Sequence, residues 1–465
     1  MLPSHALPSA GFYGECSVAG RVTKLDNVSV GTCWRPILSR TTTQEALQAV
    51  DAIAESITSI APVPGERDPS LASGQAGLAL LYTWLARTRR MPQADVLAWQ
   101  YLDQAIEAVS TQAMDASLYG GFPGVAWAAE LVDHLLDPDA EDRNEAVDDA
   151  LLRLLSRPNL WPAPHDLVVA VTGLGVYALQ RCPRPLAIQC LHRVVERLHE
   201  HAQGDEHGTY WWTPPAGILH PESRKQYPSG RADLGLAHGA AGAIALLGSI
   251  CGAGVEPETA RPLLEGAVTW LLAHSVATEA GPTFPVWLAP DFQPSRARCA
   301  WCYGDPGIAA ALLLAARGVG AVGWEQAAVA LACRAAERPP AETGVVDASF
   351  CHGTAGLAHI YNRLYQATGE PKLGRAAVYW LERTLDFYRL ARGDGGSWVQ
   401  GSGGPAEEGP WNGIGLLEGA AGVALVLLAA TTSVEPLWDR MFLVSAPDAS
   451  APDVSAPDAS SRHTV

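Results

Sequence analysis

Two short stretches carry thiols in a setting that suits chemistry: Trp301-Cys302-Tyr303-Gly304 and Cys351-His352-Gly353. Two thiolates and one imidazole make a zinc set, because Zn²⁺ takes sulfur and nitrogen ligands in a tetrahedron. Three protein ligands leave the fourth position to water or substrate, as in a catalytic site. Cys299 leaves the ligand count open. Cys299-Ala-Trp-Cys302 is a CxxC that can add a fourth thiolate and close the site, or form a redox pair with Cys302. Closure is disfavoured because Cys351 and His352 are adjacent, without finger-type spacing. The plain alternative makes all three cysteines buried core thiols.

Other residues repeat the placement. In Asp233-Leu-Gly-Leu-Ala-His238-Gly239, His238 stands one residue before a glycine, as Tyr303 and His352 do. A single histidine is more often a satisfied or surface residue. This shared placement makes His238 an acid/base candidate. His165-Asp166 precedes a further helix start, and Arg296 and Arg298 precede Cys302. A carboxylate and a guanidinium there would hold and polarise a substrate. Taken singly, each is more often a solvated charge.

The elements that must position these residues form an internal repeat. Pairs of small residues three apart recur at Gly74/Gly77, Gly121/Gly124, Ala170/Gly173, Gly239/Gly242, Gly304/Gly307, Gly353/Gly356 and Gly419/Gly422. Successive first positions differ by 47, 49, 69, 65, 49 and 66 residues, enough for two helices each. Ala/Leu-rich runs that are apolar all round follow the pairs, as in IAAALLLAARGVG after Gly307. More amphipathic segments lie between, among them TTTQEALQAVDAIAESITSI with a Thr cap. Small residues would let helix N-termini crowd around one centre and expose amides there. The expected fold is all-α: an α/α toroid of seven helix-pair repeats over residues 41–440. A short N-terminal extension (1–40) precedes it, and a disordered Pro/Ala/Ser/Asp tail (441–465) follows. The aromatic, Pro- and Gly-rich stretch 204–230 reads as a functional loop.

Composition narrows the partners. The chain has 465 residues, 48% hydrophobic and 17% charged, with 32 basic against 49 acidic side chains and a net charge of −17. Lysine occurs only at Lys24, Lys225 and Lys372, so nucleic acid, which needs a basic face, is not an expected partner. No apolar run reaches the roughly 20 residues of a membrane span, so an integral membrane protein is not expected. The first residues lack a secretory signal pattern, which points to the cytosol. Nine cysteines in this length are too few and too scattered for a disulfide framework.

Together WCYG, CHG, the AHGAAG at Ala237–Gly242 and the seven glycine-pair repeats resemble the LanC-like lanthionine cyclases, over roughly residues 41–440. The resemblance implies a toroid with one central Zn²⁺. The implied reaction is intramolecular Michael addition of a peptide Cys thiol to dehydroalanine or dehydrobutyrine, giving thioether rings in a lanthipeptide. It implies Cys302, Cys351 and His352 as zinc ligands, His238 as acid/base, and Asp166, Arg298 and Tyr303 as further catalytic residues. Its implied partners are a dehydrated precursor of leader plus core peptide, with a dehydratase and an exporter at the inner face of the membrane. Ala170 in place of glycine and the extra Cys299 depart from the pattern. Competing readings are a relative that adds glutathione to dehydroamino acids in proteins, and a non-catalytic zinc-stabilised scaffold that binds peptides. A glycan-acting toroid ranks below these, because few acids precede the glycine pairs.

Overall fold

Each small-residue pair opens a helix, and a second helix lies between successive pairs. The computed structural model describes residues 34–59, 68–157, 160–255, 257–290, 292–393 and 413–446. In chain order α1 (Arg40–Ser59) leads to α2 (Gln75–Arg87), α3 (Ala94–Thr111) to α4 (Phe122–Leu136), and α5 (Glu145–Leu155) to α6 (Val171–Arg181). Then α7 (Pro185–Glu200) and a short α8 (Pro221–Gln226) lead to α9 (Ala240–Gly252), and α10 (Pro257–Ala273) to α11 (Asp305–Val319). Finally α12 (Val322–Ala336) leads to α13 (Thr354–Thr368) and α14 (Pro371–Gly393) to α15 (Ala420–Thr431).

The helices after the small-residue pairs touch in sequence, α2–α4–α6–α9–α11–α13–α15, and α15 returns to α2. The others lie outside, and α1 packs on α15, so the chain's start covers its last inner helix. This is an α/α toroid of seven helix pairs. Inner helices are buried all round, as with every residue from Ala420 to Ala430, which is why their sequences show no polar face. Among the described residues no helix is long and apolar enough to cross a membrane. The cap of α1 is Ser39, whose Oγ accepts from Thr42 N at 3.3 Å, and not one of the threonines.

The glycines answer to a close approach within their own turns. A Cβ on Gly74 would stand 2.0 Å from the Asp68 carbonyl oxygen, and one on Gly356 1.7 Å from that of Phe350. The second glycine of a pair also takes a neighbour, since a Cβ on Gly173 would meet Leu118 Cβ at 2.9 Å. The crowding expected from sequence is thus mainly a fold-back of each turn onto its own helix. In the third turn the bond onto the helix start shifts by a residue, with Thr172 N donating to Pro164 O, and Ala170 stands where the others have glycine.

Where the turns meet, their backbones form a belt. The amides of Ala72, Ala237, Cys302, Cys351 and Leu417 donate to the carbonyls of Tyr119, Cys302, Cys351, Leu417 and Ala72 respectively, at 2.9–3.3 Å. Leu167 N donates to Ala237 O in the same belt, offset by one residue. Beneath it lies a fully buried layer of Leu71, Leu118, Leu167, Leu236, Trp301, Phe350 and Leu416.

Packing continues on both sides of residues 41–440. Trp34 Nε1 donates to Ala429 O at 2.7 Å. A 3₁₀ segment, Leu437–Phe442, ends in buried Met441 and Phe442 and is followed by buried Leu443. Most of the expected extension and tail, residues 1–33 and 447–465, lies outside the described residues. The 204–230 stretch is partly ordered secondary structure: β1 (Ala202–Asp205) pairs antiparallel with β2 (Gly208–Trp211), and α8 follows. Beyond it β3 (Ala232–Asp233) pairs with β4 (Trp287–Leu288).

Candidate metal centre

The belt determines which side chains share a site. Cys302 N donates to Cys351 O at 3.3 Å, so two successive turns bring both thiols and His352 together. The ligand atoms of Cys302, Cys351 and His352 all lie within 4.8 Å of one another, the one such set of three or more His, Cys, Asp or Glu side chains among the described residues. Both cysteines are buried and His352 is half-buried. A hydrogen bond from the Cys351 thiol, aided by His352 and by the charge of Arg298, overcomes burial and pulls Cys302 down to about 5. Sharing its proton with Cys302, and burial, push Cys351 well above the ordinary thiol range. The two shifts run in opposite directions because the sulfurs share a hydrogen bond, which makes Cys302 the readier thiolate of the pair. Its hydrogen bond to Cys302 raises His352 against burial, and Asp347, whose Oδ2 is 3.3 Å from Nε2, adds to the effect.

One turn further round stands the second group. Leu167 N→Ala237 O and Ala237 N→Cys302 O set Asp166 beside His238 and His238 beside the thiols. Asp166 Oδ2 lies 2.8 Å from His238 Nδ1, while its Oδ1 accepts from Val168 N and Val169 N at 2.7 and 2.9 Å. Burial opposes the charge on Asp166, yet His238 and the backbone amides hold its pKa below the ordinary value. Burial likewise opposes an imidazolium at His238, and Asp166 and Asp233 outweigh it, raising His238.

Tyr303 lies 6.0 Å from His238 between ring centroids, with its ring over Gly235, where a Cβ would meet it at 2.4 Å. Its hydroxyl is 3.5 Å from Asp233 Oδ1. Burial and the Asp233 carboxylate keep the phenol protonated. Arg298 is exposed and close enough to bias Cys302, Cys351 and His352. Arg296 instead faces Glu342 at 3.4 Å. His165 is buried against Thr213 Oγ1 at 3.2 Å, and burial lowers it to about 4. Cys299 is fully buried, pushed up to about 12 by burial, and outside the ligand group.

Sequence reasoning missed three groups. Asp347 beside His352 and Asp233 beside Tyr303 both stand six residues before a first glycine, as Asp68 and Asp115 do. That register was readable. Arg231, which bonds Asp233 at 3.1 Å and lies 4.0 Å over the Trp287 ring, depends on the β3–β4 pairing and left no local signal.

Two sulfurs and a nitrogen, converging and partly deprotonated, have the donor chemistry of a tetrahedral metal site with an open position, so the cluster can hold a metal ion. Among solved structures, nisin cyclase superposes with a TM-score of 0.67 at 18% identity, covering 87% of this chain and 98% of its own. An inactive variant of an α-1,6-mannanase from Salegentibacter sp., in complex with α-1,6-mannotetrose, gives a TM-score of 0.44 at 11% identity, covering 83% and 98%. No curated protein matches the chain. The model of the lanthionine synthetase C-like proteins matches residues 65–443, well over half the length, and with the seven-pair toroid and its Cys/Cys/His cluster this makes the chain a member of the lanthionine synthetase C-like family.

Proposed function

We propose that this chain is a zinc-dependent lanthipeptide cyclase, joining peptide Cys thiols to dehydroalanine or dehydrobutyrine of the same peptide as lanthionine and methyllanthionine rings. The observation that supports this most is the Cys302–Cys351–His352 cluster beside an Asp166–His238 pair in a chain of this family. Cys302, Cys351 and His352 would hold the ion, and Zn²⁺ supplies a Lewis acid that favours the thiolate form of a substrate thiol near neutral pH.

The addition forms a C–S bond at the β-carbon while the C=C π pair moves towards the carbonyl as an enolate. A proton leaves the thiol and one returns to the α-carbon. Asp166, an ionised acceptor, takes the Nδ1–H of His238, so Nε2 is left to take or give that proton. The same carboxylate favours the protonated ring, which suits the donating step. Arg298 is the cation near the ligands that can stabilise the enolate oxygen. Tyr303, kept neutral, offers a hydroxyl beside His238. The substrate on this reading is a dehydrated precursor of leader and core, in the cytoplasm, with a dehydratase and an exporter as pathway partners.

Cyclisation leaves the peptide mass unchanged, so loss of free thiol is the readout. A peptide with one Cys and one dehydroalanine, incubated with the zinc-loaded chain and then alkylated, should resist alkylation in mass spectra. Alkylation equal to the enzyme-free control, with zinc bound, would refute the proposal. Consumption of added glutathione without ring formation would favour intermolecular addition.

A further inference from the structure

The residue just before each ligand cysteine sets those two turns apart. Third before the first small residue of each pair, five turns carry leucine, while the two that carry Cys302 and Cys351 have Trp301 and Phe350. Both aromatics are fully buried and both meet Phe442, at the end of the 3₁₀ segment Leu437–Phe442. Phe350 stacks on Phe442 with centroids 3.8 Å apart, and Trp301 meets it edge-on at 5.1 Å. Trp301 Nε1 also donates to Phe442 O at 2.9 Å.

The segment is itself fixed. Asp439, fully buried, accepts from His359 Nε2 at 2.7 Å and pairs with Arg363, and Tyr119 OH donates to Met441 O at 2.8 Å. We infer that Leu437–Phe442 is a positioning element for the metal ligands, with Phe442 the positioning residue that sets the turns of Cys302 and Cys351 through Trp301 and Phe350. The inference rests on the reading that these cysteines and His352 hold a metal. Its physical basis is close packing: an aromatic one residue from a ligand cannot shift in a dense core without moving that ligand.

The test is Co²⁺ titration of the full chain, followed by its visible d–d absorption, with melting temperature recorded on the metal-free protein. Trp301→Phe keeps a buried ring but removes the donor to Phe442 O together with part of the indole's packing volume, and Phe442→Leu removes the stacked ring. Both should bind Co²⁺ about tenfold more weakly than wild type, with altered d–d bands. Asn144→Ala, which cuts the 3.0 Å bond to Ala126 O between α5 and α4, away from the 3₁₀ segment and both ligand turns, should lower the melting temperature and bind as wild type. Wild-type affinity and spectrum in the two aromatic variants, with only the melting temperature lowered, would overturn the inference and leave the metal reading standing. If Phe442→Leu does not fold, Trp301→Phe decides. A wild-type chain that takes up no Co²⁺ or Zn²⁺ would overturn the metal reading, and this inference with it.

Discussion

His238 has one ring nitrogen committed to Asp166 and one available, and that division is the most testable detail of the site. Asp166→Asn should lower the cyclisation rate by about 10²–10⁴-fold, the usual worth of a positioned acid/base. Metal content should stay at the wild-type value, so thiol-alkylation kinetics beside elemental analysis separate the dyad from the ligands. Metal content also decides the place of Cys299: Cys299→Ser should keep the ion and Cys302→Ala should lose it, and loss in both would mean a closed site. Sequence made the candidate Cys/Cys/His group legible because Cys302 and Cys351–His352 keep fixed offsets from a glycine pair. It left Cys299 ambiguous because CxxC spacing says nothing about direction in a non-helical turn. Here Cys299 faces the core, with its amide bonded to Thr343 O at 2.7 Å.

At the scale of elements, the glycine pairs were readable because each excludes a Cβ for a geometric reason. Gly356→Ala should destabilise the fold by about 1–3 kcal/mol, as overpacking does, since its Cβ would collide with the Phe350 carbonyl in a ligand turn. Gly323→Ala, in the first turn of outer helix α12 with nothing within 4 Å of the added carbon, should instead stabilise by up to about 0.5 kcal/mol, mainly by restricting the unfolded chain. Urea unfolding of the two variants checks both signs. The β1–β2 hairpin and the 3₁₀ segment escaped sequence reading for a common reason. Both are short, and their partners are distant: β2 packs on α10, and Phe442 on turns about 90 and 140 residues earlier. Periodicity reports neither.

For the whole molecule, acid should loosen the 3₁₀ segment. Burial opposes the charge on Asp439, but Arg363 and His359 hold its carboxyl at about 2, below the ordinary range. Its contribution to stability is therefore complete above the unfolded carboxyl value and is lost as pH falls towards 2. Burial also lowers His359, so its contribution is present above the ordinary imidazole range and erodes as pH drops below it. The two signs agree. Melting temperature should fall on acidification from pH 7, and Asp439→Asn should cost about 1–3 kcal/mol at neutral pH by leaving Arg363 to Glu435 and the Pro436 carbonyl and weakening the bond from His359. The same variant should flatten the decline between pH 4 and 2, and thermal unfolding across pH checks both effects.

Closure of the ring carries a consequence for the order of events in the cell. Trp34 is held by Ala429, 395 positions later, and Leu417 N closes the belt on Ala72 O. A chain still on the ribosome lacks these late partners. The Cys302 and Cys351 turns then reach their final packing only after residues 417–429 have been made, and the ion proposed above would be loaded after that point.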